Sequence, residues 1–280
     1  MTPETLPTLD TLLVETHRIA RLAGDAIMDV YNRAADMEVN AKSDGSPLTL
    51  ADRRAHNIIV DQLRQLTPDI PVLSEESSSE AFESRREWTS FWLVDPLDGT
   101  KEFIRRNGEF TVNIALIKGS RPILGVVYTP AADITHLAFT GGGAFRIENG
   151  IQQSILTRPF NRNAVCMVAS RSHAASTVAS YREALEAEVE QVDSISMGSA
   201  LKICLVAEGT ADIYPRLGLT SEWDTGASDC VLKEAGGIMT DIHGDELVYN
   251  KPSILNPWFL AIGDQSHDWR RYLPKNVSEE

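Results

Sequence analysis

Trp92-Leu93-Val94-Asp95-Pro96-Leu97-Asp98-Gly99-Thr100-Lys101-Glu102-Phe103 is the stretch that decides how this chain is read. Trp92, Leu93 and Val94 have the character of a buried strand end, and Asp95, Pro96, Asp98 and Gly99 are turn formers expected to stop it. Two carboxylates therefore leave the strand close together. At short range and partly buried they repel, so the pair signals a cation or a shared proton. Gly99 and Thr100 favour the cation, because they can open a helix whose free N–H groups face an anion. Cation and phosphate would then meet in one small space.

The 280 residues around this stretch carry 26 Lys and Arg against 40 Asp and Glu, a formal net charge of −14. Such an acidic chain is a poor match for a nucleic-acid polymer, which is gripped through basic surface. A small phosphorylated ligand remains open to it, provided that metal ions and a few placed cations neutralise the phosphate locally. With 42% hydrophobic residues and no apolar run of roughly 18 residues, the chain reads as soluble, without a transmembrane segment. Met1 to Leu9 shows neither a basic start nor an apolar core, so secretion is not indicated. Cys166, Cys204 and Cys230 stand singly among apolar neighbours, which suggests buried thiols and a cytoplasmic setting. Association with a membrane surface and the choice between monomer and homodimer stay open.

Before the central stretch, apolar residues from Leu9 to Tyr31 recur at helical spacing, and a second amphipathic helix is expected from Thr49 to Leu66. Thr49 can cap that helix, placing Asp52 in its first turn. Residues 40–49 read as a loop or hairpin, Val72-Leu73 as a short strand delivering Ser74, Glu75 and Glu76, and residues 77–87 as a mobile polar loop. After the central stretch, strands at 111–117, 123–128 and 134–139 indicate an antiparallel sheet. Beyond Pro159, strands and helices alternate: strands at 165–169, 191–195 and 211–214, helices at 176–188, 199–208 and 225–235. This is the pattern of an α/β unit. The expected organisation is an N-terminal α+β domain over 1–155 and a C-terminal α/β domain over 156–280.

Acidic residues recur where strands end or helices open: Asp52, Glu75 and Glu76, Asp95 and Asp98, and Asp224 in Glu222-Trp223-Asp224-Thr225-Gly226. Each alone is most simply a cap or a solvated charge, and Asp224 in particular reads as a helix N-cap. Together they form the oxygen-rich donor set that hard cations require.

Asp95-Pro96-Leu97-Asp98-Gly99-Thr100, preceded by Ser74-Glu75-Glu76 and followed by Trp223-Asp224, resembles the signature of the magnesium-dependent, lithium-sensitive inositol monophosphatase superfamily. The resemblance implies a layered αβαβα sandwich of α+β or α/β class, the sugar phosphatase fold. Lys101-Glu102-Phe103, in place of the Thr-Asn-Phe usual in inositol monophosphatases, resembles the 3′(2′),5′-bisphosphate nucleotidase branch. So do residues 42–52, Ser170-Arg171-Ser172-His173 and Gly198-Ser199-Ala200-Leu201-Lys202.

That resemblance implies two to three Mg²⁺ ions. Glu75, Asp95 and the Leu97 carbonyl would hold one, and Asp95, Asp98 and Asp224 a second, with a third leaning on Glu75 through water. Glu76 would point elsewhere by strand alternation. Asp52 and Thr100 would orient and deprotonate the attacking water, with Glu75 also counted among the catalytic groups, and Gly99 and Thr100 N–H groups would bind phosphate oxygens. Lys101, His173, Ser199, Lys202 and Asp224 would contact the nucleotide, with Arg171, Tyr214 and Arg216 as further pocket residues.

The implied reaction removes the 3′-phosphate of adenosine 3′,5′-bisphosphate, giving AMP and phosphate, and extends to its sulfated form. Such an enzyme would serve sulfur metabolism. Two alternatives are an inositol or other sugar phosphatase, disfavoured by Lys101-Glu102, and a non-catalytic regulator, disfavoured by the complete ligand set.

Overall fold

Leu12, Ile19, Ala23, Ile27 and Val30 line one buried stripe of α1 (Leu9–Asn32), and Ala51, Ala55, Ile59 and Leu63 one buried stripe of α2 (Leu50–Leu66). Both stripes pack on alternate residues of a seven-stranded sheet, Trp92, Val94, Ile114, Leu116, Leu124 and Val126 among them. The computed structural model in which this is seen describes residues 7–33, 39–41, 47–77, 79–170 and 176–275.

The strands of that sheet lie in chain order: β3 (Val72–Ser74), β4 (Ser90–Asp98), β5 (Thr111–Lys118), β6 (Arg121–Thr129), β7 (Ile134–Phe139), β8 (Gly143–Glu148) and β9 (Ile151–Ile155). β3 runs parallel to β4, and every later neighbour is antiparallel. Ahead of them, β1 (Val39–Ala41) and β2 (Pro47–Thr49) pair as the anticipated hairpin. β4 is apolar on both sides because both faces are covered. Phe91 and Leu93, pointing away from α1 and α2, pack with Ala115, Val127, Cys204 and Ala227.

Cys204 belongs to α6 (Leu201–Ala207) and Ala227 to α7 (Glu222–Glu234), which form a middle helical layer. Its far side meets Cys166, Val168, Tyr214, Met239 and Phe259 of a five-stranded sheet. That sheet comprises β10 (Val165–Ser170), β11 (Val192–Met197), β12 (Ile213–Arg216), β13 (Ile238–Asp241) and β14 (Phe259–Ile262), in the order β11-β10-β12-β14-β13. Pairings of β10 are parallel and those of β14 antiparallel. Tyr181 and Leu185 of α5 (Ser176–Glu186), with Trp269 and Tyr272, cover its outer face. The result is the expected α-β-α-β-α layering. Cys166, Cys204 and Cys230 are buried free thiols, and no described helix is long and apolar enough to cross a membrane.

Two local expectations are corrected, and some strands had no counterpart in the sequence reading. β4 does not stop at Val94 but pairs with β5 as far as Asp98, with the register shifting between Asp95 and Asp98. A bulge at Pro96, which has no N–H to donate, lets the strand continue. Residues expected as a mobile loop form α3 (Ser79–Ser84) and a 3-10 turn at Arg85–Glu87. Arg85 is only 2% exposed and donates to Asn250 Oδ1 and the Pro252 carbonyl, partners far along the chain that no local pattern reveals. β8 and β9 escape the sequence reading because β9 is an edge strand whose residues 151–154 are exposed and mostly polar.

Candidate active site

The parallel pairing of β3 with β4 brings Glu75 beside the central stretch, its N–H donating to the Val94 carbonyl at 3.0 Å. The bulge then turns Asp95 and Asp98 toward the same end of the sheet. Asp95, 2% exposed, accepts from its own turn through Leu97 N–H at 3.0 Å. Asp98 Oδ2 accepts from Ala200 N–H at 2.6 Å and Asn113 Nδ2 at 3.3 Å. Gly99 follows at φ 91°, a left-handed conformation that glycine adopts without strain, and α4 (Thr100–Arg105) begins there.

Asp224 arrives from the middle layer. It is not the N-cap of its helix, as the sequence suggested, but the third helical residue: Ser221 caps α7, and Ser221 N–H donates to Asp224 Oδ2 at 2.8 Å in a capping box. Carboxylate oxygens of Asp95, Asp98 and Asp224 all lie within 4.8 Å of one another. Burial, and then the neighbouring Glu75, Asp98 and Asp224 charges, push the Asp95 carboxyl well above the usual carboxylate range. Burial with Asp98 pushes Asp224 up to about 8. Burial also raises Asp98, against the opposing pull of Lys202 and the two hydrogen bonds it accepts. Oxygen donors crowded this closely, each costly to ionise alone, fit a hard divalent cation.

Asp52 comes from the opposite side, at the third position of α2. Its Oδ2 accepts from Thr49 N–H at 2.7 Å and Thr49 Oγ1 at 2.5 Å, which fixes the side chain. Its Oδ1 is left facing Thr100 Oγ1 at 3.4 Å, and that hydroxyl is also 3.4 Å from the Leu97 carbonyl.

Above these groups opens a cavity of about 400 Å³, lined by Glu75, Asp98, Gly99, Thr100, Lys101, Ser199, Lys202, Tyr214, Arg216 and Asp224. Of the candidate ligands and substrate contacts among the described residues, all line the cavity except Asp52, Asp95 and Leu97, which are buried and reach lining residues: Asp52 and Leu97 through Thr100, Asp95 through Asp98 and Asp224. Arg171 and His173 lie outside the described residues. Glu76 faces a separate cavity with His56 and Arg64; because it and Glu75 lie in the turn after β3, that turn rather than the expected strand alternation sets its direction.

Within reach of Asp98, Lys202 is 8% exposed; its Nζ donates to the Ser199 carbonyl at 2.6 Å and lies 5.5 Å from the Tyr214 ring centroid. Burial pulls its ammonium down to about 8, with Asp98 opposing. Arg216 donates to the Leu219 carbonyl at 2.7 Å, and its Nε is buried without a hydrogen-bond partner among the described residues. Ser199 is not a helix cap: it stands at φ 50° just before Ala200, which caps α6.

Sequence reasoning missed Asn113, Met197, Leu219 and Thr220. Asn113 sits mid-strand in an apolar run and reaches Asp98 only through strand pairing. The other three line the cavity from the second half of the chain, where no motif marks them.

The model of the inositol monophosphatase family matches residues 8–265. A 3′(2′),5′-bisphosphate nucleotidase CysQ of Escherichia coli O157:H7 is 49% identical over 249 residues, covering 89% of this chain and 98% of that protein. One from Aggregatibacter actinomycetemcomitans is 37% identical over 273 residues, covering 97% and 100%. Among solved structures, CysQ from Bacteroides thetaiotaomicron, a bacterial member of the inositol monophosphatase family, superposes with a TM-score of 0.81 at 38% identity, covering 91% of this chain and 98% of that one. A Thermotoga maritima IMPase superposes at 0.75 with 28% identity, covering 94% and 96%.

Proposed function

The chain belongs to the inositol monophosphatase family, and from that premise we propose that it is a 3′(2′),5′-bisphosphate nucleotidase, hydrolysing the 3′-phosphate of adenosine 3′,5′-bisphosphate to give AMP and phosphate. The observation that carries this reading is one cavity whose lining combines Glu75, Asp98 and Asp224, with Asp95 grouped beside the latter two, and the cationic Lys202 and Arg216. Such a space suits a ligand with two anionic groups, one reacting and one anchored. The sulfated form of the same nucleotide has the same charge layout and fits the same scheme.

Glu75, Asp95, Asp98 and Asp224, with the Leu97 carbonyl, would hold divalent cations, and Mg²⁺ suits their all-oxygen chemistry. Bound there, such ions supply a lowered pKa for water and neutralise charge on the phosphoryl oxygens. The rest falls to the chain. Asp52, held by Thr49, accepts the Thr100 proton, which turns the lone pairs of Thr100 Oγ1 toward the attacking water. Glu75 stands beside that water as a further acceptor. Gly99 and Thr100 N–H groups, at the opening of α4, meet the phosphate oxygens. Ser199, Lys202 and Arg216 hold the part that leaves as AMP, with Lys101 at the rim; His173, which lies outside the described residues, is assigned to the same role by the family resemblance alone.

In this scheme the N-terminal half, 1–155, supplies most acidic groups and the C-terminal half, 156–280, supplies Asp224 and the nucleotide contacts. Three buried thiols fit the cytoplasm as the setting. Phosphate release measured side by side on adenosine 3′,5′-bisphosphate, its sulfated form and inositol 1-phosphate tests the proposal. Preference for the nucleotides supports it, and preference for the inositol phosphate overturns it.

A further inference from the structure

A chain of hydrogen bonds outside the catalytic groups joins α4 to the turn that carries Ser199 and Lys202. It starts at Glu102, buried at 5% exposure, whose Oε2 accepts from Asn107 Nδ2. Asn107 Oδ1 in turn accepts from Glu109 N–H at 3.0 Å. Glu109 Oε2 accepts from Gly198 N–H at 2.8 Å, crossing from the loop between α4 and β5 to the end of β11. The contact is too close for any side chain at 198. A Cβ there would stand 2.7 Å from the Glu109 carbonyl oxygen and 2.9 Å from Glu102 Cγ, one a backbone atom and the other held by Asn107.

The turn beyond Gly198 needs such holding. Ser199 is a non-glycine residue in the left-handed region, a conformation that persists only where neighbours enforce it. Two anchors flank it: Gly198 N–H on Glu109 and Ala200 N–H on Asp98. The second belongs to the acidic cluster itself, so Glu109 is the anchor that owes nothing to the cation ligands. The Ser199 carbonyl, oriented by this turn, receives Lys202 Nζ.

We infer that Glu109 is a positioning residue for nucleotide recognition: through Gly198 it fixes the strained turn that presents Ser199 and Lys202, and Glu102 with Asn107 holds Glu109 in place. The inference rests on the reading of Ser199 and Lys202 as nucleotide contacts given above. It also supplies a physical reason for Glu102 to accompany that substrate, because this side chain, at the cavity wall, packs against Gly198.

The test is steady-state kinetics on adenosine 3′,5′-bisphosphate, with AMP as product inhibitor and Mg²⁺ titrated, for Glu109→Ala, Glu109→Gln and Asn107→Ala, each first shown by thermal melting to be folded. Losing one charge-assisted bond to a buried N–H raises KM and the AMP inhibition constant together in Glu109→Ala, by roughly tenfold. The kcat and the Mg²⁺ half-saturation stay within about twofold, since no reacting atom is touched. Glu109→Gln retains an acceptor oxygen and returns KM to within about threefold of the parent, while Asn107→Ala raises it by roughly threefold. Unchanged KM in both alanine variants overturns the inference. So does a fall in kcat with a raised Mg²⁺ requirement, which would place Glu109 behind Asp98, or a Gln variant as impaired as the Ala variant. A parent protein that releases no phosphate from the bisphosphate overturns the functional reading instead.

Discussion

Thr100 Oγ1 and Asp52 Oδ1 lie 3.4 Å apart although 48 residues separate them, one opening α4 and the other in the first turn of α2. Asp52 reaches this position with its other oxygen already occupied by Thr49. It is therefore oriented before substrate arrives. Asp52→Asn leaves an amide in place of the proton acceptor, and kcat is expected to fall by roughly 10²–10⁴, with the Mg²⁺ half-saturation little changed. Rapid-quench or steady-state phosphate release checks this. A kcat within threefold of the parent would remove Asp52 from the water-activating role.

The crowding of Asp95, Asp98 and Asp224 gives a stability effect opposite to the catalytic one. Without cations, burial and mutual repulsion force Asp95 and Asp224 to take up protons on folding, which costs stability at neutral pH, so Asp95→Asn is expected to raise the melting temperature of the metal-free protein by roughly 2–4 °C. The same substitution abolishes turnover and removes most of the stabilisation that Mg²⁺ confers on the parent by mass action. Melting curves in chelator and in Mg²⁺ separate the two effects. A variant less stable than the parent in chelator would contradict the repulsion argument.

Lys202 gives a pH dependence of definite sign. Burial has pulled its ammonium down to about 8, so it is charged below that pH and neutral above it. As pH rises through about 8, kcat/KM for adenosine 3′,5′-bisphosphate is expected to fall, because the nucleotide loses a cationic anchor in the free enzyme. Lys202→Met should flatten this limb and raise KM by roughly 10–100-fold. A limb that persists unchanged in the methionine variant would assign the titration to another group.

Glu222, the residue two before Asp224, is fully buried, and its Oε1 accepts from Lys251 Nζ at 2.7 Å. Asn250 and Lys251 N–H groups also donate to this carboxylate, at 2.8 and 3.0 Å. Lys251→Met strands a buried charge, and a loss of about 3–5 kcal/mol in unfolding free energy is expected. Adding Glu222→Gln should recover part of it. Chemical denaturation of the single and double variants measures the coupling, and additive losses would show that the pair does not act as one unit.

Much of the fold was legible because both sheets are sandwiched between helical layers. Where both faces of a strand are covered, it reads as an apolar run, and the stripes of α1 and α2 stand out at helical spacing. Residues 79–87 and the strands β8, β9, β13 and β14 were not read from the sequence. Arg85 is ordered by Asn250 and Pro252, and β9 by pairing with β8, contacts that leave no periodic mark in their own segments. The acidic residues announced themselves by turn chemistry at strand ends and helix starts. Asn113 and Glu109 did not, because a single polar residue in a strand or loop carries no signal until its partner is known.

By itself the sequence determined local chemistry: that acids stand at strand ends and helix starts, that Thr49 would cap α2 with Asp52 in its first turn, and that Gly99 would follow a strand and precede a helix. These are local consequences of residue type and spacing; which of those acids would gather was implied only by the family resemblance. Only the tertiary structure decided how those acids meet Ser199 and Lys202. Asp224 reaches Asp98 because α7 lies between the two sheets, and Lys202 faces them because Glu109 and Asp98 hold the turn at 198–200. Such relationships come from burial of both faces of a layer at once, a property of the packed whole.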